Sequence, residues 1–309
     1  MRSVYTTFIR PLLDYCASAW QPWLAKSTSD RLERCQNRAL RAITGQLGTT
    51  PIEALRREAN IESYGTRDYG NRVGAERLAR CLDRLGMRAS VSLSSALITH
   101  HPEVLQLGLT RNWEFFSHGV YNTRYVYGMS EAQERRMIQE SMQDIEKLTG
   151  KACAGYLAPA LTHTENSLDL FAELGGKYTC DLFHDDQPTP IQTRSGKRLV
   201  SVPYSLELND TIVYVVNKIE PRRYGEMIKA SFDRLYQEGA ESATVLCVPL
   251  HPYQVSHPHR LAAFEDAIRY ILSFDGVWKT TAAEIAEYYA THYFDEVSAH
   301  INSELNHGA

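Results

Sequence analysis

The stretch "WEFFSHGVYNTRYVYGMSEAQERRMIQESMQDIEKLTGKACAGYLAP", residues 113–159, decides the fold. A short aromatic run, "WEFFS", reads as a buried β-strand that delivers His118 at its end. Ser130 then offers an N-cap, Gln133 completes a capping box, and Gly150 closes the helix between them. The chain passes at once into "KACAGYLAP", a second apolar strand. Strand, helix and strand in this order argue for a parallel pair with the helix outside.

The same alternation extends both ways. Helices are expected near 73–85, 101–109, 166–174, across "EPRRYGEMIKASFDRLYQEG", near 257–273 and from about 281. Between them lie "RASVSLS", "KYTCDLF", "LVSVPYS", "ATVLCVPLHP" and "GVWKTT", each short and apolar. Six or seven such strands predict an α/β protein, a closed or nearly closed (β/α) barrel rather than an open doubly wound sheet. No glycine-rich phosphate fingerprint follows any strand, which disfavours a nucleotide site.

Composition sets outer bounds. The 309 residues are 43% hydrophobic and 23% charged, ordinary for a globular protein. No apolar run is long enough to span a bilayer, and Arg10, Pro11 and Asp14 interrupt any signal-peptide pattern, so a cytoplasmic protein is expected. Cysteines 16, 35, 81, 153, 180 and 247 are scattered and lack metal-ligand spacing, consistent with a reducing compartment. Residues 1–60 carry a formal charge of +4 and the rest −8, a shift that suggests two segments. A main body this acidic is not a nucleic-acid binder.

In parallel α/β folds, reactive groups gather just beyond the C-terminal strand ends. Here "WEFFS" ends in His118, "AGYLAP" in Pro159 before Thr162 and His163, and "YTCDLF" in His184, Asp185 and Asp186. "LVSVPYSLELND" ends in Tyr204, Glu207, Asn209 and Asp210, and "TVLCVPL" in His251. One strand-end histidine is more often structural than functional. Five strands depositing polar groups in step favour a site, with His118 and His251 facing each other and an acid near His184 to hold its tautomer.

The blocks "RDYGNRVGAERLARCLDRLGMRASVSL", "WEFFSHGVYNTRYVYG", "GYLAPALTHTENSLDLFAELGGKYTCDLFHDDQP", "VPYSLELND" and "LCVPLHPYQVSHPHRL" resemble the polysaccharide deacetylase (NodB-homology) family. They are most similar to its branch containing cofactor-independent allantoinases, and the resemblance covers about residues 67–295. It implies an irregular (β/α) barrel that hydrolyses a carbon–nitrogen bond of an amide. Metal-dependent members of the family use an Asp pair after the first strand and a His-x3-His ligand pair. His118 matches the first histidine of that pair, Asn122 stands at the second, and Leu157 replaces the arginine of the Arg-x-Pro block, while Pro159 is kept. His251, in "LHP", matches the late histidine that acts as general acid.

An amide oxygen substitutes poorly for imidazole on zinc, so no cofactor is expected and zinc is disfavoured. The resemblance implies catalytic roles for His118 and His251 and keeps Pro159 at the substrate; the strand-end reading adds Asp185 and Asp186 as catalytic candidates and His184, Glu207 and Asn209, with the nearby donors Tyr121 and Asn122, as substrate-binding candidates. A small amide or ureide is expected ahead of an N-acetylated sugar, because without a Lewis acid only hydrogen-bond donors stabilise the oxyanion. No membrane partner is expected, and a homo-oligomer stays open.

The front end differs. "IRPLLDY", Trp20 and "QNRALRAITG" resemble the region after the polymerase core of non-LTR retrotransposon reverse transcriptases. This segment occupies the place of the family's first strand and the acids that follow it. Three segments are therefore expected: a helical extension over 1–62, a barrel lacking its first strand over 67–295, and a tail over 296–309. The alternative to a working hydrolase is a catalytically inactive remnant of a truncated domain fused to a retroelement fragment.

Overall fold

A computed structural model describes residues 67–307, so the retroelement-like segment expected over 1–62 lies outside the described residues. From Gly70 onward the chain forms one compact unit. Its elements in order are α1 (Ala75–Leu85), β1 (Ser90–Leu93), α2 (Pro102–Leu109), β2 (Glu114–Ser117), α3 (Glu131–Thr149), β3 (Gly155–Tyr156), α4 (Ser167–Glu173) and β4 (Tyr178–Thr179). They continue with β5 (Thr189–Gln192), β6 (Arg198–Ser201), α5 (Pro221–Glu238), α6 (Pro258–Ile271), α7 (Ala282–His292) and α8 (Phe294–His307). The capping box at Ser130 and Gln133 and the left-handed Gly150 bound α3 where the sequence places them.

The strands form one sheet in the order β1-β2-β3-β4-β6-β5. All neighbours are parallel except β5, which pairs antiparallel with β6. No strand is expected over residues 189–192, the segment between "KYTCDLF" and "LVSVPYS". It is half of a hairpin whose turn is made by Gly196 at φ 69°, a conformation glycine adopts without steric cost.

Alternation along the strands divides the sheet into two apolar faces. Val91, Leu93 and Phe115 pack with Leu105 and Ile145, while Tyr156 and Leu199 pack with Ile138, Leu170 and Phe171. These residues bind the sheet to α2, α3 and α4. On the opposite face Phe116, Tyr178, Cys180, Val200 and Val202 meet Ala286 and Tyr289 of α7 and Phe294 of α8. A fully buried side chain such as Ile138 or Leu199 contributes about 2 kcal/mol through its lost contact with water. Residues 296–309, expected as a tail, instead continue α8 to His307.

The sheet with its flanking helices is the architecture described; a closed barrel is not formed by the described residues. The expected strands at 244–250 and 277–281 have no ladder. Leu246, Val248 and Leu250 nevertheless all enter the cluster of α1, α5 and α6, whereas Cys247 lies by Cys180 and Tyr204. That is strand-like alternation without a partner. Among the described residues nothing pairs with the outer edge of β1, and backbone contacts of 244–250 are sparse: Val245 N–H donates to Asp186 O at 2.8 Å and Asp210 N–H to Pro249 O at 3.2 Å. A strand between these two edges would give both a ladder.

Glu114, at the start of β2, ties the sheet to α7. Its carboxylate accepts from the Tyr178 hydroxyl, from Ser90 Oγ at 2.7 Å and from the Ala283 N–H at 3.1 Å in the first turn of α7. A carboxylate at a helix N-terminus is favoured by the exposed N–H groups there. Glu114→Ala is expected to lower unfolding free energy by about 2–4 kcal/mol, because the buried phenol and the helix N–H lose their acceptor together. Urea melts check this, and a change below about 0.5 kcal/mol would show that water replaces the carboxylate.

Candidate functional site

The parallel register brings the ends of β2, β3 and β4 to one level. Ser117 lies opposite Tyr156, and Tyr156 opposite Thr179, so His118, Leu157–Ala158 and Asp181 leave the sheet side by side. His118 Nδ1 lies 2.8 Å from the Leu157 carbonyl oxygen, and its Nε2 lies 2.8 Å from Asn122 Oδ1. Burial holds the His118 pKa below the ordinary histidine value of 6.5; the Leu157 carbonyl and Asn122 oppose the shift, and charge on His251 adds to it. The ring is therefore neutral near pH 7 and donates through one nitrogen only. A carbonyl cannot donate, so Nδ1 carries the proton in the neutral ring, and a half-turn of the Asn122 amide would set its NH2 in place of Oδ1 at Nε2.

His251 is held differently. Asp210, with no exposed surface, accepts from His251 Nδ1 at 2.6 Å and from the His251 backbone N–H at 2.8 Å. The Val255 N–H also donates to it at 3.2 Å, and Thr211 Oγ1 lies 3.0 Å from the same ring nitrogen. With Nδ1 committed to the carboxylate, Nε2 is left as the working nitrogen, and about a third of the side chain is exposed. His251 is near enough for its charge to lower the His118 pKa further. One imidazole kept neutral and another backed by a carboxylate can respectively accept and supply a proton.

The rim around them is strained. Ala160 and Leu161, following Pro159, have φ of 51° and 59°, and Phe183 beyond β4 has φ 45°. Such conformations cost non-glycine residues on the order of 1 kcal/mol each and recur at functional sites. The turn is secured by Thr162 Oγ1 donating to Pro159 O at 2.7 Å and by the Ala158 N–H donating to Asp181 Oδ1 at 2.9 Å.

Other residues expected at the site take varied places. Asn209 is nearly buried; it donates to Tyr204 Oη at 2.9 Å and accepts from the Thr211 N–H at 2.9 Å, so it is built into the scaffold. Asp185 is exposed and accepts from the Gln187 N–H at 2.9 Å, closing a turn. Asp186 and Glu207 are exposed, and His184 Nε2 lies 2.9 Å from Thr189 Oγ1. Tyr121 is exposed, with its hydroxyl 3.5 Å from His100 Nε2.

Two carboxylates were passed over. Asp210 sat among the rim residues without a role, and Asp181 was unread; both are essentially without exposed surface. The only signal in the sequence is an acid inside an otherwise apolar strand end.

The site fits zinc poorly. Asn122 occupies the place of a second imidazole, and among the described residues no three His, Cys, Asp or Glu side chains converge as metal ligands.

Residues 61–179 match the family model for polysaccharide deacetylase. A peptidoglycan deacetylase of Helicobacter pylori is 25% identical over 268 residues, covering 74% of this chain and 90% of that protein. The solved probable polysaccharide deacetylase of Pseudomonas aeruginosa PAO1 is 30% identical with a TM-score of 0.69, covering 74% of this chain and 76% of the other. The solved Puue allantoinase is 28% identical with a TM-score of 0.71, over 76% of this chain and 78% of its own. These relatives lend no support to the inactive-remnant alternative.

Metal analysis of the purified chain after dialysis is expected to find far less than one zinc per chain, since no three His, Cys, Asp or Glu side chains converge among the described residues. Stoichiometric zinc that survives dialysis would contradict this reading of the donor set.

Proposed function

Because the chain belongs to the polysaccharide deacetylase family, we propose that it hydrolyses a carbon–nitrogen bond of a small amide or ureide without a metal, with His118 as base and His251 as acid. The observation that carries this reading is the unequal support of the two histidines. The neutral ring of His118 accepts a proton at Nε2, whereas His251 has its Nδ1 held 2.6 Å from the Asp210 carboxylate and its Nε2 left to deliver a proton.

The chemistry follows from those states. Asn122, whose side chain is exposed, swings off Nε2 as substrate enters. His118 Nε2 takes a proton from water, and the hydroxide adds to the substrate carbonyl. The oxyanion is met by the Asn122 amide NH2 and the Tyr121 hydroxyl, both free to turn at the rim. His251 gives its Nε2 proton to the nitrogen as the carbon–nitrogen bond breaks, leaving an acid and an amine. Solvent then returns the proton from His118 to His251.

Without a Lewis acid, these donors carry all the charge stabilisation, which suits an activated ring or ureide carbonyl better than an N-acetyl group on a polymer. Pro159 and His184 border the substrate, and Glu207 with Asp185 and Asp186 gives the rim its negative charge. The neighbouring allantoinase supports this substrate class and the deacetylase relatives support the bond type.

His118→Ala and His251→Ala are each expected to lower kcat/KM for hydantoin or ureide hydrolysis by roughly 10²–10⁴-fold with the circular dichroism spectrum unchanged. Wild-type rates in both variants would sink the assignment. Faster turnover of N-acetylated oligosaccharide than of any ureide would move the substrate to the polymer side of the family.

A further inference from the structure

We propose that the buried carboxylate of Asp181 acts on His118 through the peptide group that joins Leu157 to Ala158, so that each of the two site histidines is backed by its own carboxylate. The geometry is a chain of two hydrogen bonds across one amide. His118 Nδ1–H donates to the Leu157 carbonyl oxygen at 2.8 Å. The N–H of the same amide, on Ala158, donates to Asp181 Oδ1 at 2.9 Å. The second carboxylate oxygen accepts from Thr179 Oγ1 at 3.1 Å.

The amide is a conjugated plane, so what happens at its nitrogen is felt at its oxygen. A negative charge on the N–H side draws the amide proton and enriches the carbonyl oxygen, which then holds the imidazole N–H more tightly. The carboxylate thereby raises the proton affinity of His118 Nε2 and opposes the burial that lowers it. Asp210 touches His251 directly, at 2.6 Å from Nδ1. The difference suits the two roles assigned above, on which the catalytic meaning of the relay rests. The acid sits against its carboxylate, while the base has one amide interposed and stays neutral.

A merely structural role would be filled by any acceptor for the Ala158 N–H. Asp181 is a carboxylate with only 1% of its surface exposed, and burying a charge costs far more than burying a hydroxyl. Burial raises its pKa from the usual carboxylate value to about 6, against the Ala158 N–H, a nearby charge on His163 and the Thr179 hydroxyl, which all lower it. Glu134 of α3 and Tyr156 of β3 also face this pocket, and the Cys180 thiol of β4 senses the same charge. Asp181 is consequently ionised above about pH 6 and neutral below it. The relay is engaged in the same range in which His118 is free to accept a proton.

Asp181→Asn tests the charge alone, because the amide oxygen keeps an acceptor for Ala158. Ring-nitrogen NMR of His118 in the full chain is the readout, with Asp210→Asn as control. The proton affinity of His118 is expected to fall about tenfold in Asp181→Asn, as removal of an opposite charge two hydrogen bonds away predicts. The Nδ1–H proton resonance is expected to move upfield, while Asp210→Asn shifts His251 far more than His118. A folded Asp181→Asn protein with unchanged His118 resonances and titration would overturn the proposal. Should that variant fail to fold, carbon-13 NMR of the wild-type Asp181 carboxyl supplies the test. Its titration is expected to move the His118 Nδ1–H resonance with the same midpoint, and a silent ring would overturn the relay. These readouts need no turnover, so loss of the hydrolase reading through His118→Ala kinetics is a separate result.

Discussion

The parallel register of β2, β3 and β4 is the constraint on which the site depends. Two rungs, Ser117 opposite Tyr156 and Tyr156 opposite Thr179, fix where three successive strands release the chain. Parallel strands end at the same level by construction, so the group after each strand is delivered to one rim. A slip of one residue in β3 would send Leu157 to the other face and separate its carbonyl from His118. The register is protected by packing on both faces: Phe115 and Phe116 face opposite clusters, as do Leu199 and Val200. Gly155 belongs to the same logic, because a Cβ there would come within 2.1 Å of the Tyr178 ring.

Stability is spent at the rim and recovered in the sheet. Three non-glycine residues with left-handed backbone and two fully buried carboxylates concentrate above the strand ends. Each carboxylate is tolerable because N–H and O–H groups converge on it: two backbone amides and a ring nitrogen on Asp210, a backbone amide and a hydroxyl on Asp181. At the opposite end of the strands Glu114 anchors the start of α7. The strained end is thus free to vary in chemistry without loss of the architecture.

Much of this was legible in the sequence because it is local. Ser130, Gln133 and Gly150 specify α3 within twenty residues, and the strand-end rule picked out His118 and His251 without any contact information. What could not be read depends on pairing at a distance. Asp210 meets a histidine 41 residues away, and Asp181 acts across a turn 23 residues back. The hairpin of β5 was hidden because "TPIQ" contains proline and has no clear alternation, and only its pairing with β6 makes it a strand. The segment 244–250 shows the reverse: the apolar pattern is present and the alternation is real, yet a ladder needs a neighbour.

The central claim is that His118 works as a neutral base opposite a His251 held by the Asp210 carboxylate, with no metal between them. The dependence of kcat/KM on pH, measured for a ureide with chelator present, tests it most directly. His118 must be neutral to accept the proton, and its pKa in the folded chain lies below 6.5, so activity is fully present above that value and is lost as pH falls through the lower one. An acidic midpoint below 6.5, unchanged by chelator, is the predicted result. An acidic midpoint above 6.5, or activity abolished by chelator and restored by zinc, contradicts the account.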